Sequence, residues 1–171
     1  GFETLVQACA AMDRQGIDFQ CWIAGEGPIR SRLAAQIEKS SLSHRVRLLG
    51  WQSQAEMVRH YAAASIFVLP SRIAENGDRD GIPNVLLEAL AAGVPCVTTN
   101  VSGIPEVVEH EVTGLLVPPT APEELASALT RMLRDSGLRQ ALAANGRRKV
   151  ATEFALAIST EGLVVLFSRE T

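Results

Sequence analysis

Short unbroken apolar runs alternate along this chain with stretches in which apolar residues return at every third or fourth position, the pattern of strands followed by helices. Phe2, Leu5, Val6 and Cys9 already stand at helical spacing, so the sequence opens inside an amphipathic helix, and the reading is that something has been cut away before Gly1. Phe19 to Ala24 reads as a strand broken by Gly25-Glu26-Gly27-Pro28, with Pro28 suited to a first helical turn and Ile29, Leu33 and Ile37 continuing a helix. The unit recurs: Val46 to Leu49 as a strand closed by Gly50, Met57 to Ala64 as a helix, Ile66 to Leu69 as a strand closed by Pro70. After a polar loop from Ser71 to Pro83, Val85, Leu86, Leu87, Leu90 and Ala91 form a helix that is apolar nearly all round and so is expected to be buried, stopped by Gly93.

Val94 to Val97 and Leu115 to Val117 read as two further strands with a brief Ile104 to Val108 helix between them. Pro122 then opens a helix with Glu123 and Glu124 at its positive end, Leu125, Ala128, Leu129 and Met132 on one face, and Arg131 and Arg134 near its negative end. Two more helical stretches follow, Leu138 to Val150 and Thr152 to Phe167, so residues 138–171 are expected to be C-terminal helices. Strands this short, without alternation and each followed by a helix, predict an α/β domain: a Rossmann-like, doubly wound parallel sheet with helices on both faces. The whole of 1–171 reads as one such domain.

Composition agrees with that class. With 171 residues, 47% of them apolar and 20% charged, the chain suits one globular core, which excludes a disulfide miniprotein or a disordered tail. A net charge of −3 argues against a binder of nucleic-acid backbones. The longest apolar run, Gly162 to Phe167, is too short to span a bilayer, and no signal-peptide pattern opens the chain. Cys9, Cys21 and Cys96 are odd in number, widely spaced and set in apolar segments, so they read as buried reduced thiols in a cytoplasmic setting.

Open parallel sheets bind ligands beyond the carboxyl ends of their strands, which directs attention to Gly25–Pro28, Gly50–Gln54, Ser71–Asn84 and Thr98–Pro105. Gly25 and Gly27 begin a dinucleotide fingerprint, but Arg30 stands where its third glycine belongs; a tight strand-to-helix turn is the plainer reading. Asn76, Asp78, Asp80 and Gly81 take the first, third, fifth and sixth places of a calcium loop, yet the twelfth place is Leu87, the eighth is Pro83 and a strand precedes it. No metal is therefore expected there, although Asp78-Arg79-Asp80 also matches a short acidic metal-binding motif. His44, His60 and His110 share no metal spacing and read as surface or capping residues.

Asp80 and Glu88 stand out. One lies just before the apolar helix and the other inside its second turn, where an unpartnered carboxylate costs several kcal/mol, so Glu88 must meet backbone, an arginine or a ligand hydroxyl. In the functional alternative the helix start at Gly81 to Val85 offers N–H groups to a diphosphate while the carboxylates accept sugar hydroxyls.

The segment Asp80-Gly-Ile-Pro-Asn-Val-Leu-Leu-Glu88-Ala-Leu-Ala-Ala-Gly-Val-Pro95 resembles the glutamate-x7-glutamate segment of the family 4 (group 1) retaining glycosyltransferases. Gly1-Phe-Glu-Thr-Leu5, Gly25-Glu-Gly-Pro28, Val46 to Gly50, Phe67-Val-Leu-Pro-Ser71, Val101-Ser-Gly-Ile-Pro-Glu106 and Thr113-Gly-Leu-Leu-Val-Pro-Pro119 fall in that family's order, so the likeness covers nearly the whole chain. It implies the C-terminal, donor-binding half of a GT-B enzyme that transfers a sugar from a UDP- or GDP-sugar to a polysaccharide, lipopolysaccharide or glycolipid acceptor. The alternatives are a non-catalytic nucleotide-binding module and a GT-B sugar-nucleotide epimerase.

Carried across, Glu88 would hold the ribose hydroxyls and Asp80 the hydroxyls of the transferred sugar. Gly81, Ile82, Pro83 and Asn84 would meet sugar and phosphates, the turns at Gly25, Gly27 and Gly50 would flank the donor, and backbone near Gln52 would meet the base. Asp80 replaces the family's usual glutamate, one methylene shorter but still a carboxylate. Neither cofactor nor metal is implied. The family's acceptor domain, and a strand and loop with a diphosphate-binding arginine and lysine, would precede Gly1. Without them the chain alone is expected to be inactive, because the cations that meet the leaving diphosphate are lost.

The full-length enzyme is expected at the inner face of the membrane as a peripheral protein. Arg147-Arg148-Lys149 reads as a solvated helix face or a contact for anionic lipid or a partner domain, and Glu106 as a helix cap or a donor contact. Finally, doubly wound domains run in the order 3-2-1-4-5-6, and the five strands here count as the second to sixth. A gap is therefore expected between Phe19–Ala24 and Ile66–Leu69, leaving two rows of unpaired backbone and a chain that is marginal or self-associating.

Overall fold

A computed structural model describes residues 1–154, apart from Glu75, Asn76, Asp78 and Asp80. The expected helix from Thr152 to Phe167 therefore lies mostly outside the described residues. In chain order the elements are α1 (Phe2–Arg14), β1 (Cys21–Ala24), α2 (Arg30–Lys39), β2 (Val46–Gly50), α3 (Gln54–Ala63), β3 (Phe67–Leu69), α4 (Asn84–Ala91), β4 (Cys96–Thr99), α5 (Ile104–Val107), β5 (Gly114–Val117), α6 (Pro122–Arg134) and α7 (Ser136–Glu153). Every ladder is parallel: β1 pairs with β2, β3 with β4, and β4 with β5.

Helices cover both faces of the sheet at β4, whereas Trp22 of β1 and Arg47 of β2 are exposed. On one side Leu5, Val6, Cys9, Leu33, Leu125 and Met132 bring α1, α2 and α6 onto the sheet; on the other Tyr61, Leu86, Leu90, Ile104, Val107 and Val150 bring α3, α4, α5 and α7. Central β4 is buried along its length, and its Val97 joins the first core while its neighbour Cys96 joins the second.

Several boundaries differ from the sequence expectation for local reasons. β4 begins two residues after Val94, because Val94 donates its amide back to Ala89 O at the end of α4 and Pro95 has no amide to give. Pro28 occupies the turn before α2, closed by Arg30 N–H to Gly27 O at 3.1 Å, and is not in the helix. α3 starts three residues before Met57, because Ser53 and Glu56 form a reciprocal capping box. α7 runs unbroken through Val150 to Glu153, so the expected break near Ala151 is absent.

The ladders leave a gap. Among the described residues no pairing joins β1 to β3, and the spatial order is β2, β1, then a slot, then β3, β4, β5. The slot is a cavity of about 660 Å³ lined by Leu5, Cys9, Ile23, Val68, Val85 and Leu129 among others. It explains two departures from expectation. Val85 is 38% exposed on a helix expected to be buried all round, and Cys21 is only half-buried, because both face that opening. Gly1 packs against the Pro70 carbonyl, immediately beyond β3.

Candidate donor-binding site

The carboxyl edge of the sheet is shaped by turns that side-chain-bearing residues would strain. Gly25 (φ 117°) and Gly50 (φ 74°) end β1 and β2, and Gly25 N–H donates to Gly50 O at 2.8 Å. A Cβ on Gly50 would lie 2.7 Å from Glu26 Oε1, the free end of an exposed side chain, so it is the positive φ that calls for glycine there. Glu26 pairs with Arg30 at 3.5 Å, which places the arginine beside its own loop. Gly27 has open space around it.

Gln52 follows β2. Its amide donates to Leu49 O at 3.2 Å and Trp51 O at 2.9 Å, and its Oε1 accepts from His60 Nε2–H at 2.8 Å. His60 is thus neither a surface residue nor a cap: it holds this turn from α3, with Trp22 edge-on to its ring at 5.7 Å. His44 and His110 bond locally, His44 to Ser41 O and His110 Nδ1 accepting from Leu116 N–H.

Across the slot, β4 fixes the loop that leaves β3. Buried Thr98 donates to Leu69 O at 2.7 Å and Thr99 to Ser71 O at 2.6 Å. Gly103 supports the far end of that loop, since a Cβ there would stand 2.9 Å from Ile82 Cγ1 and 3.1 Å from Gly81 O. The helix starts later than the sequence suggests: Gly81 and Ile82 form a bend, Pro83 is the extended N-cap, and α4 begins at Asn84. The first-turn amides directed past the helix start are therefore those of Asn84 and Val85, with Gly81 and Ile82 in the approach. Asp80 lies outside the described residues.

Glu88 sits half-buried in the second turn of α4. Its Oε2 accepts from the Tyr61 hydroxyl at 3.1 Å, and the same hydroxyl lies 3.4 Å from Val85 O. Burial, then the bond to Glu88 and its negative charge, raise the Tyr61 phenol well above its ordinary pKa. Among the described residues the partner of Glu88 is neither an arginine nor local backbone but the neutral Tyr61 phenol. Among the described residues no ion pair reaches it.

Two groups of candidate residues result: Gly25, Gly27, Gly50 and Gln52 beyond β1 and β2, and Gly81 to Asn84 with Glu88 beyond β3. What joins them is α3, whose consecutive His60 and Tyr61 reach Gln52 and Glu88. Neither tether was legible beforehand, because a tyrosine 27 positions from its carboxylate carries no spacing signal.

The family model for "Glycosyl transferases group 1" matches residues 1–149. This chain belongs to that family. The amylovoran biosynthesis glycosyltransferase AmsK of Erwinia amylovora is 36% identical to it over 169 residues, covering 99% of this chain and 42% of that protein. The GDP-mannose-dependent alpha-(1-6)-phosphatidylinositol monomannoside mannosyltransferase of Mycobacterium tuberculosis is 33% identical over 155 residues, 90% of this chain and 40% of that protein. The chain thus spans about two fifths of these group 1 relatives.

Among solved structures, sucrose-phosphate synthase from Thermosynechococcus elongatus superposes with a TM-score of 0.82 at 30% identity, over 100% of this chain and 43% of that one. The C-terminal domain of the group 1 protein LpcC from Francisella tularensis, 23% identical, shares the fold with a TM-score of 0.79 over 91% of this chain and 80% of that one. The architecture is that of the C-terminal half of a GT-B glycosyltransferase.

Proposed function

We propose that this group 1 domain binds a nucleoside diphosphate sugar and belongs to a retaining hexosyltransferase acting on a polysaccharide, lipopolysaccharide or glycolipid acceptor. The observation that carries the reading is Glu88. A carboxyl group kept half-buried in an apolar helix, with one oxygen bonded by a neutral phenol, keeps spare acceptor capacity for ribose hydroxyls. The amides opening α4 lie one turn away, where a diphosphate gains both N–H donors and the positive helix end. Asp80 then serves the hydroxyls of the transferred sugar, and backbone at Gln52 the base. The named activities of the relatives support transfer into surface polymers or glycolipids, and Anabaena HepE, which shares the fold at a TM-score of 0.85, was solved with UDP and glucose.

In this reading the protein orients the donor and neutralises its leaving group, and an acceptor placed on the same face of the sugar attacks as the diphosphate departs. The chain supplies the ribose and sugar carboxylates and the helix start. It transfers no sugar by itself, since acceptor positioning and the cations meeting the diphosphate come from elsewhere in the full-length enzyme. The test is thermal: UDP or GDP raises the melting temperature of the chain, and Asp80→Asn alters the shift given by the nucleotide sugar while leaving that given by the nucleotide alone. An equal shift with inorganic phosphate would reduce the site to an anion-binding helix end.

A further inference from the structure

Glu88 does not hold its own position. Its side chain has three rotatable bonds, and a carboxylate that must meet ribose in one geometry loses rotamer freedom on binding unless something has already fixed it. Tyr61 is placed to do so. It is 5% exposed, its ring meets Phe67 edge-on at 5.9 Å, and it packs in one core with Leu86, Ala89 and Leu90 of α4. From that fixed ring the hydroxyl reaches Glu88 Oε2 at 3.1 Å and Val85 O at 3.4 Å, so it spans a turn of α4 and holds the carboxylate against the helix that carries it. The first turn of α3, which bears Tyr61, is closed by the Ser53–Glu56 capping box.

We propose that Tyr61 is a positioning residue of the donor site, orienting the Glu88 carboxylate toward the ribose hydroxyls. The inference rests on the reading of Glu88 given above. It also explains why a hydroxylated ring stands at a buried position that phenylalanine would fill: the hydroxyl serves an acceptor on a helix 27 positions away.

The experiment is calorimetric titration of the chain and of Tyr61→Phe, Glu88→Gln and the double variant with UDP, GDP and the corresponding 2′,3′-dideoxynucleoside diphosphates. Tyr61→Phe keeps the ring packing. It should weaken the ribonucleotides roughly three- to tenfold and leave the dideoxy analogues unchanged, and the double variant should be no weaker than Glu88→Gln alone. A loss of the same size for ribo and dideoxy ligands, or none at all, overturns the proposal while the Glu88 reading stands. If Glu88→Gln binds ribonucleotides as the parent does, the ribose reading falls and takes this proposal with it.

A second readout needs no ligand. Tyr61 is the single tyrosine of the chain, so absorbance at the tyrosinate wavelength reports it alone. At pH 11, where about nine tenths of a free tyrosine is ionised, the parent should remain largely protonated, and Glu88→Gln should let the phenol ionise at lower pH. Identical titration of the two proteins overturns the contact.

Discussion

An extended apolar segment seated in the slot between β1 and β3 should stabilise this chain strongly. The two strands that flank the slot, Cys21–Ala24 and Phe67–Leu69, each turn one row of backbone groups toward it. A five-residue parallel strand laid there forms about eight hydrogen bonds, each contributing about 0.5–1.5 kcal/mol net. Burying its five β-branched or leucine side chains contributes about 1.5–3 kcal/mol each. Ordering the segment costs about 1–2 kcal/mol per residue in backbone entropy. Low-end gains set against a mid-range backbone cost of about 1.5 kcal/mol per residue leave a gain on the order of 4 kcal/mol, which for a domain of this size raises the melting temperature by roughly 10 °C.

Gly1 packs against Pro70 just past the carboxyl end of β3, so a parallel strand in the slot ends at the edge where α1 begins and needs only a short connection. The perturbation is therefore an N-terminal extension, Val-Ile-Val-Leu-Val followed by a four-residue Gly/Ser loop, with a control carrying proline at the central strand position. Melting curves and amide hydrogen exchange of β1 and β3 supply the readout. No gain in melting temperature over the proline control, or β1 and β3 amides no better protected, would show that the slot does not accept a strand.

Two further outcomes follow, one from packing and one from the sequence of the loop before Gly81. Gly146→Ala should destabilise the chain by about 1–2 kcal/mol despite the better helix propensity of alanine, since its Cβ would stand 2.5 Å from fully buried Leu90 Cδ2 and 3.1 Å from Thr113 O where α7 crosses α4; a rise in melting temperature would contradict that packing. Calcium at concentrations too low for bulk salt effects should leave the melting temperature unchanged, as should chelation or Asp78→Ala, and a calcium-dependent shift would reverse the reading of the loop before Gly81.

The order of elements was legible because each apolar run is short, bounded by glycine or proline, and followed by a helical period. Even the slot was legible, from the rule that a doubly wound domain carries its first strand in the middle. Boundaries failed where a side chain or missing amide decided them: Ser53 extended α3, and Pro95 delayed β4. Glu88 was visible as a lone carboxylate among Leu86, Leu87, Ala89 and Leu90. Its partner was not, because the contact with Tyr61 exists only once α3 and α4 pack together, and the same packing turned His60 from a bland residue into the tether of Gln52.

The claim that most needs testing is that Glu88 accepts the ribose of a nucleoside diphosphate. Calorimetric titration of the chain and of Glu88→Gln with UDP and GDP addresses it directly. The parent should bind weakly but measurably, and Glu88→Gln should lose roughly one to two powers of ten, the equivalent of one hydrogen bond to a charged group. Equal affinity of the two proteins for both nucleotides would contradict it.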